Sequence, residues 1–225
     1  MSTKEFSDIF DVKLASYIYD NNKFGVINKI SFDEYEKSVF LSQAQEEIIL
    51  ELYSGRNNKS IEFESTEESK RLLHNLIKEK TYSDSDEDII KKAQNKYFVS
   101  KPTDLLFIIY EQCELQLSTA LVIPTKYDDL FNDLNNPFKG PSLKRVLRVD
   151  SENGMTLYSK YTIDKYIINY IKKPAPIILL DLENDLEING ISTKSESEVD
   201  SSLHNDIVDR AVKLALQSKA YLLQK

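Results

Sequence analysis

The chain has 225 residues, 41% of them hydrophobic and 10% aromatic, enough for one domain or for a core with an appended subdomain. Its net charge of −8 argues against nucleic acid or an anionic membrane as the main partner. The single cysteine, Cys113, leaves no intrachain disulfide to form, and no apolar run approaches the ~18 residues of a membrane helix.

The charge is uneven. Residues 1–96 carry 14 basic and 19 acidic side chains, 97–180 carry 10 and 9, and 181–225 carry 5 and 9. A near-neutral middle between two acidic flanks fits subunits that meet through complementary faces. The opening MSTKEFSDIF lacks the basic and apolar regions of a signal peptide. The expectation is a soluble chain, made in the cytoplasm of its producing cell.

Residues 4–20 place Phe6, Phe10, Leu14 and Tyr17 on one helical face. Residues 21–29 read as a loop carrying Gly25. Ser31, with Glu34 three residues on, has the pattern of a capping box that opens a second helix. Leu41, Ala44, Ile48 and Leu52 are its apolar stripe, and Gly55 its stop. A third helix is predicted with Ser65 as cap, Glu68 at the box position, and Leu72, Leu73, Leu76 and Ile77 inward. Asp84, Asp86 and Asp88 invite a calcium reading. The sixth and twelfth loop positions are Ile89 and Asn95, however, where glycine and glutamate belong, so a solvated loop or a short helix through Ile89 and Ile90 is preferred.

A β-rich region follows, with strands predicted near 105–114, 117–123, 144–149, 155–161, 165–172 and 177–180. Pro174 and Pro176 push the chain to a sheet edge or out of the sheet. Strand 144–149 places Lys144 and Arg148 on one face and Arg145, Leu147 and Val149 on the other. Asn189-Gly190 signals a tight turn. A serine-rich polar linker, 193–202, leads to a last helix in which Leu203, Ile207, Ala211, Leu214 and Ala215 repeat at helical spacing. That face is expected to pack on the N-terminal helices.

Between two of the strands lies a proline-punctuated arm, PTKYDDLFNDLNNPFKGP from Pro124 to Pro141, far longer than a hairpin's ~2–5 residues. Tyr127, Phe131 and Phe138 have too little apolar sequence around them for a core of their own, and soluble monomers avoid leaving such groups in water. The arm is therefore expected to be mobile in a free subunit and to become ordered across a neighbour. The interface set read from the sequence is Tyr127, Phe131, Phe138, Lys139, Lys144, Arg145 and Arg148.

Residue types for catalysis are sparse. His74 and His204 sit on separate predicted helices, where surface positions explain both. Cys113, in an apolar strand, reads as an inert buried thiol. One Cys and two distant His make zinc a poor fit, and no phosphate-loop or dinucleotide glycine pattern is present. No catalytic, metal or cofactor residue is assigned, and no cofactor is expected. The basic cluster at 139–148 reads better as a solvated or paired face than as a nucleic-acid contact.

The segments DEYEKSVFLSQAQEEIILELYSG (33–55), FESTEESKRLL (63–73), VIPTKYDD…NPFKGP…RVLRVD (122–150), YTIDKYIINYIKKPAPIILLDL (161–182), EINGISTKSESEV (187–199) and LHNDIVDRAVKLAL (203–216) carry a resemblance. In kind and order they resemble virion structural proteins of tailed bacteriophages, the crAss-like phages and their relatives. The resemblance covers nearly the whole chain and contains no catalytic signature. It implies a non-enzymatic ring or collar subunit of the neck or tail, part of the portal-to-tail conduit. The implied partners are copies of itself in a closed ring, dodecameric where it matches a portal, and neighbouring portal, ring or tail proteins. DNA would pass transiently, without sequence recognition and without adhering to an acidic lining. No membrane partner is expected, and the location is the virion.

The fold expected is α+β. It comprises a helical part over 1–96, an antiparallel β domain of about five to seven strands over 97–192 with the arm at 124–141, and a linker and C-terminal helix over 193–225 that packs back on the helical part. The alternatives are a tail-tube or hub-associated accessory protein and, from another class, a carboxylate-dependent hydrolase or nuclease.

Overall fold

A computed structural model of the chain describes residues 1–21, 31–55, 67–83, 89–152, 154–183 and 185–223. Gly25, the Ser65 cap and the Asp84/Asp86/Asp88 cluster lie outside those residues. The fold is α+β, with five helices and an eight-stranded sheet among the described residues. It divides into two compact units, residues 1–76 with 174–225, and residues 77–173.

The first unit contains α1 (Thr3–Asn21), α2 (Glu34–Ser54), the short α3 (Glu67–Leu73) and α5 (His204–Leu223), α4 lying in the second unit. Helix α2 starts two residues later than the sequence pattern suggests. Its cap is Asp33, whose carboxylate accepts from Glu36 N at 2.7 Å, while Glu36 accepts from Asp33 N at 3.2 Å. The expected box partner Glu34 is engaged elsewhere, accepting from Ser7 Oγ and Lys37 Nζ, both at 2.9 Å. Gly55 does end the helix, at φ 68°, in the left-handed region that glycine enters without strain.

Helix α5 packs on α1 and α2 through Ile207, Val208, Ala211, Val212 and Ala215, all fully buried. Salt bridges flank the contact, Arg210 to Glu51 at 2.6 Å and Lys13 to Asp209 at 2.8 Å. Lys37 is buried beside α1 and pairs with Asp11 at 2.7 Å. Burial opposes its charge, but the hydrogen bonds to Asp11 and Glu34 prevail and hold the ammonium above its ordinary range.

Residues 177–180 are not a strand, because the flanking prolines cannot donate to a ladder. A single bridge joins Ile178 to Ser195, and polar side chains of α2 bond several neighbouring backbone groups. Ser42 Oγ accepts from Ile177 N at 3.0 Å and donates to Ile177 O at 3.2 Å, Ser38 Oγ accepts from Leu179 N at 3.0 Å, and Gln45 Nε2 donates to Ala175 O at 2.8 Å. The Asn189-Gly190 turn closes as expected, with Ile188 and Ile191 exchanging hydrogen bonds of 2.9 and 3.1 Å.

The second unit contains β1 (Ile77–Ser83), β2 (Ile89–Ala93), β3 (Lys96–Ser100), β4 (Leu105–Leu115), β5 (Ser118–Pro124), β6 (Arg145–Ser151), β7 (Gly154–Tyr158) and β8 (Ile163–Lys172), in the order β1-β8-β4-β5-β6-β7-β3-β2. Three of these, β1, β2 and β3, are not read from the sequence, and the first two replace predicted helix. β1 takes Ile77 from the predicted third helix, which ends at Leu73 in a 3-10 turn, and β2 replaces the short helix through Ile89 and Ile90. Both are edge strands with polar, lysine-rich exposed positions, and that composition hides the period-2 signal.

The sheet curls on itself. Tyr82 of β1 stacks on Tyr166 of β8 with ring centroids 5.7 Å apart, and its hydroxyl donates to Ser100 O at the end of β3 at 2.8 Å. Inside lie Val99, Cys113, Leu115, Ala120, Val122, Val146, Met155, Leu157 and Ile168. Every pair in the sheet is antiparallel except β5–β6, which is parallel, with Leu121 opposite Arg145. Parallel neighbours need a crossover rather than a hairpin, and the residues between them form α4 (Tyr127–Asn135).

Candidate assembly interface

The length of the arm follows from the parallel pairing of β5 and β6, and its chemistry from α4. Around the helix Tyr127, Leu130, Phe131 and Leu134 fall on one stripe about 100° wide, with Asp128, Asp129 and Asp133 on the opposite side. The chain covers only part of that stripe. Leu130 and Leu134 are half-buried, whereas Tyr127 is 65% and Phe131 76% exposed, and no residue of α4 is fully buried. Phe138, beyond the helix, is 87% exposed.

The arm carries hydrogen bonds within its own subunit. Its entry is pinned by Thr125 N donating to Arg148 O at 2.8 Å. At its exit, Asn136 Oδ1 accepts from Phe138 N at 2.8 Å and Lys139 N at 3.3 Å, and Gly140 N donates to Asn136 O at 2.8 Å. Arg145 donates to Phe138 O, so the strand itself holds the aromatic tip. Gly140 is required there. A Cβ at that position would sit 2.7 Å from Asn136 O and 3.0 Å from Asp133 O, both backbone atoms that cannot swing away.

Further apolar side chains flank the arm. Leu121 lies opposite Arg145 on the outer face of β5, and Leu143 is held by Ser118 Oγ donating to its carbonyl. Both are exposed, as is Leu117 in the β4–β5 turn. Lys139 and Lys144 are exposed beside them, and Arg145 is half-buried. Of the seven residues read from the sequence as an interface, six belong to the β5–α4–β6 crossover segment and are exposed or half-buried.

The seventh is neither. Arg148 is buried inside the curled sheet, where its guanidinium meets Glu111 of β4 at 2.8 Å. Tyr166 donates to the same carboxylate at 2.7 Å, and Met155 Sδ lies 3.9 Å from Arg148 Nη1. Strand alternation correctly separates Arg148 from Arg145 but does not say which face turns inward. The partner that makes burial tolerable, Glu111, is 37 positions away by sequence number and invisible to local pattern. Burial raises the pKa of Glu111, with Arg148 and Tyr166 pulling the other way. The same burial pushes the Tyr166 hydroxyl and the Cys113 thiol upward, so neither ionises at neutral pH.

His204 is a second correction. It is buried rather than superficial, its Nε2 3.3 Å from Val199 O and its ring 5.1 Å from that of Phe6. Among the described residues no group of three or more His, Cys, Asp or Glu is placed to hold a metal ion, and no helix is long and apolar enough to cross a membrane.

The whole chain is similar to known phage proteins. "Ring protein 3" of Bacteroides phage crAss001 is 45% identical over 236 aligned residues, covering 99% of this chain and 98% of that protein. "Ring protein 4/5" of the same phage is 33% identical, covering 96% and 92%. A family model described as phage tail ring protein 3/4 matches residues 1–225, the whole length. The chain belongs to the phage tail ring protein 3/4 family.

Proposed function

We propose that the protein is a structural, non-enzymatic ring subunit of a tailed-phage virion, placed in the neck or tail as part of the portal-to-tail conduit for DNA. The observation that carries the reading is α4, an amphipathic helix whose apolar stripe its own chain leaves open. A nine-residue helix is marginal in water by itself, and an uncovered aromatic face argues for a partner surface. Burying Tyr127, Phe131 and Phe138 against one contributes about 1.5–3 kcal/mol each.

A ring needs a contact that closes by rotation, and an arm projecting from each copy supplies one. Its partners are further copies of the chain, as a dodecamer where the ring matches a portal, with neighbouring portal, ring or tail proteins above and below. The net charge of −8 suits passage of a polyanion without adhesion. The acid-base groups of the sheet interior support a structural role, because Glu111 is closed in a pair with Arg148 and Tyr166. Cryo-electron microscopy of the intact virion tests the proposal. The expected result is density for this chain as a closed ring between portal and tail, with α4 at the contact between neighbours. Density outside the neck and tail, or copies that do not close into a ring, would overturn it.

A further inference from the structure

The open face of α4 needs a cover of matching chemistry, and the same chain presents one elsewhere. Around Leu180–Glu187, Asp181, Glu183, Asp185 and Glu187 are all exposed, and the leucines among them, Leu180 and Leu186, are 57% and 40% exposed. Hydrogen bonds anchor its two ends. Leu182 N donates to Ser192 O at 2.7 Å, Lys194 N donates to Asp181 Oδ1 at 2.7 Å, and the Ile188–Ile191 turn closes its far side. Two exposed leucines thus alternate in sequence with four exposed carboxylates.

The arm is the complement. Exposed Phe131 and Phe138 share the β5–β6 crossover segment with exposed Lys139 and Lys144, whose ammonium groups form no ion pair within the described residues. Glu183, Asp185 and Glu187 likewise form none there. Unpaired cations around exposed aromatics on one surface, and unpaired carboxylates around exposed leucines on another, are the two halves of a contact with an apolar centre and a charged rim.

We propose that the arm of one copy docks on the Leu180–Glu187 loop of the next copy. Phe131 and Phe138 cover Leu180 and Leu186, while Lys139 and Lys144 face Glu183 and Glu187. This rests on the ring reading above and adds the receiving surface. In a ring the contact is head-to-tail, each arm reaching one neighbour while the loop receives the arm of the other. A self-complementary patch would instead produce a two-fold dimer. The rim charges set encounter and register, and the buried aromatics slow dissociation.

The test uses the full-length chain with Cys113→Ser, Phe138→Cys and Leu186→Cys, assembled and then oxidised. Native mass spectrometry reports ring formation, and non-reducing gels report covalent links. The expected result is a ladder of disulfide-linked multimers rising to the ring size. A ring without interchain disulfides, or with the disulfide closed inside one chain, overturns the docking and leaves the ring reading standing. Failure of the wild-type chain to form a ring overturns both. Charge reversal is a second measurement that needs no cysteine. Lys139→Glu with Lys144→Glu, and Glu183→Lys with Glu187→Lys, are each expected to weaken self-association about tenfold or more, and the four changes together to restore it. No recovery in the fourfold variant overturns the pairing.

Discussion

Arg145 and Arg148 stand three residues apart on β6 and end in opposite surroundings. Arg148 lies inside the curled sheet, paired with Glu111, in a centre where Tyr82, Tyr166 and Met155 close around the charge. Arg145 points outward and holds Phe138 O at the tip of an arm that has no buried residue in its helix. The interior desolvates its charge and offsets that penalty by pairing, so each partner there is costly to remove. The arm is held by backbone hydrogen bonds, and its side chains remain free for another molecule. Stability and assembly are thereby separated on one strand, and substitutions should sort into two classes.

The largest effect should come from the interior. Glu111→Gln leaves the buried Arg148 guanidinium with only the half-exposed Asp150 carboxylate, 3.4 Å away, as counter-charge and is expected to cost about 3 kcal/mol. Replacing both residues with apolar ones of similar size should recover much of that loss. Urea denaturation of the single and double variants measures both, and an unchanged midpoint for Glu111→Gln would show that the pair is not buried.

Ser42→Ala is expected to cost less, about 1–3 kcal/mol, because it leaves the buried Ile177 N–H without an acceptor. Ser42→Thr, which keeps the hydroxyl, should retain part of the stability. Equal losses in the two variants would count against the hydrogen bond as the cause.

The pH dependence of His204 is smaller. Burial, then the neighbouring N-terminal ammonium, lower its pKa below the ordinary 6.5. The folded state therefore prefers the neutral ring. Its contribution to stability is complete above pH 6.5 and declines as the pH falls through the lower folded value. Wild-type Tm should drop between neutral pH and about pH 5 more steeply than that of His204→Asn. Parallel slopes would assign the acid sensitivity to other groups.

The smallest effect on the isolated subunit should come from the arm. Phe131→Ser removes a side chain that is 76% exposed, and its unfolding free energy should lie within about 0.5 kcal/mol of wild type. Ring assembly should nonetheless weaken, as analytical ultracentrifugation can measure. A large loss of monomer stability would mean that the aromatic face packs on its own chain.

Local sequence determined the elements whose signals are local. The periodicity of Phe6, Phe10 and Leu14, of Leu41, Ala44 and Ile48, and of Ile207, Ala211 and Ala215 specified helix faces that are buried as expected. Gly55 and Asn189-Gly190 specified a stop and a turn through left-handed backbone. The aromatic content of the arm marked Tyr127, Phe131 and Phe138 as groups needing cover. Tertiary structure alone decided the rest. Whether β5 and β6 run parallel depends on strand order, and that order turns a presumed loose arm into a crossover helix. The role of α2's serines depends on a backbone segment about 135 residues away, and the fate of Arg148 on a carboxylate from another strand. Alternation along a strand separates its two faces, but only the closing of the sheet decides which of them leaves water.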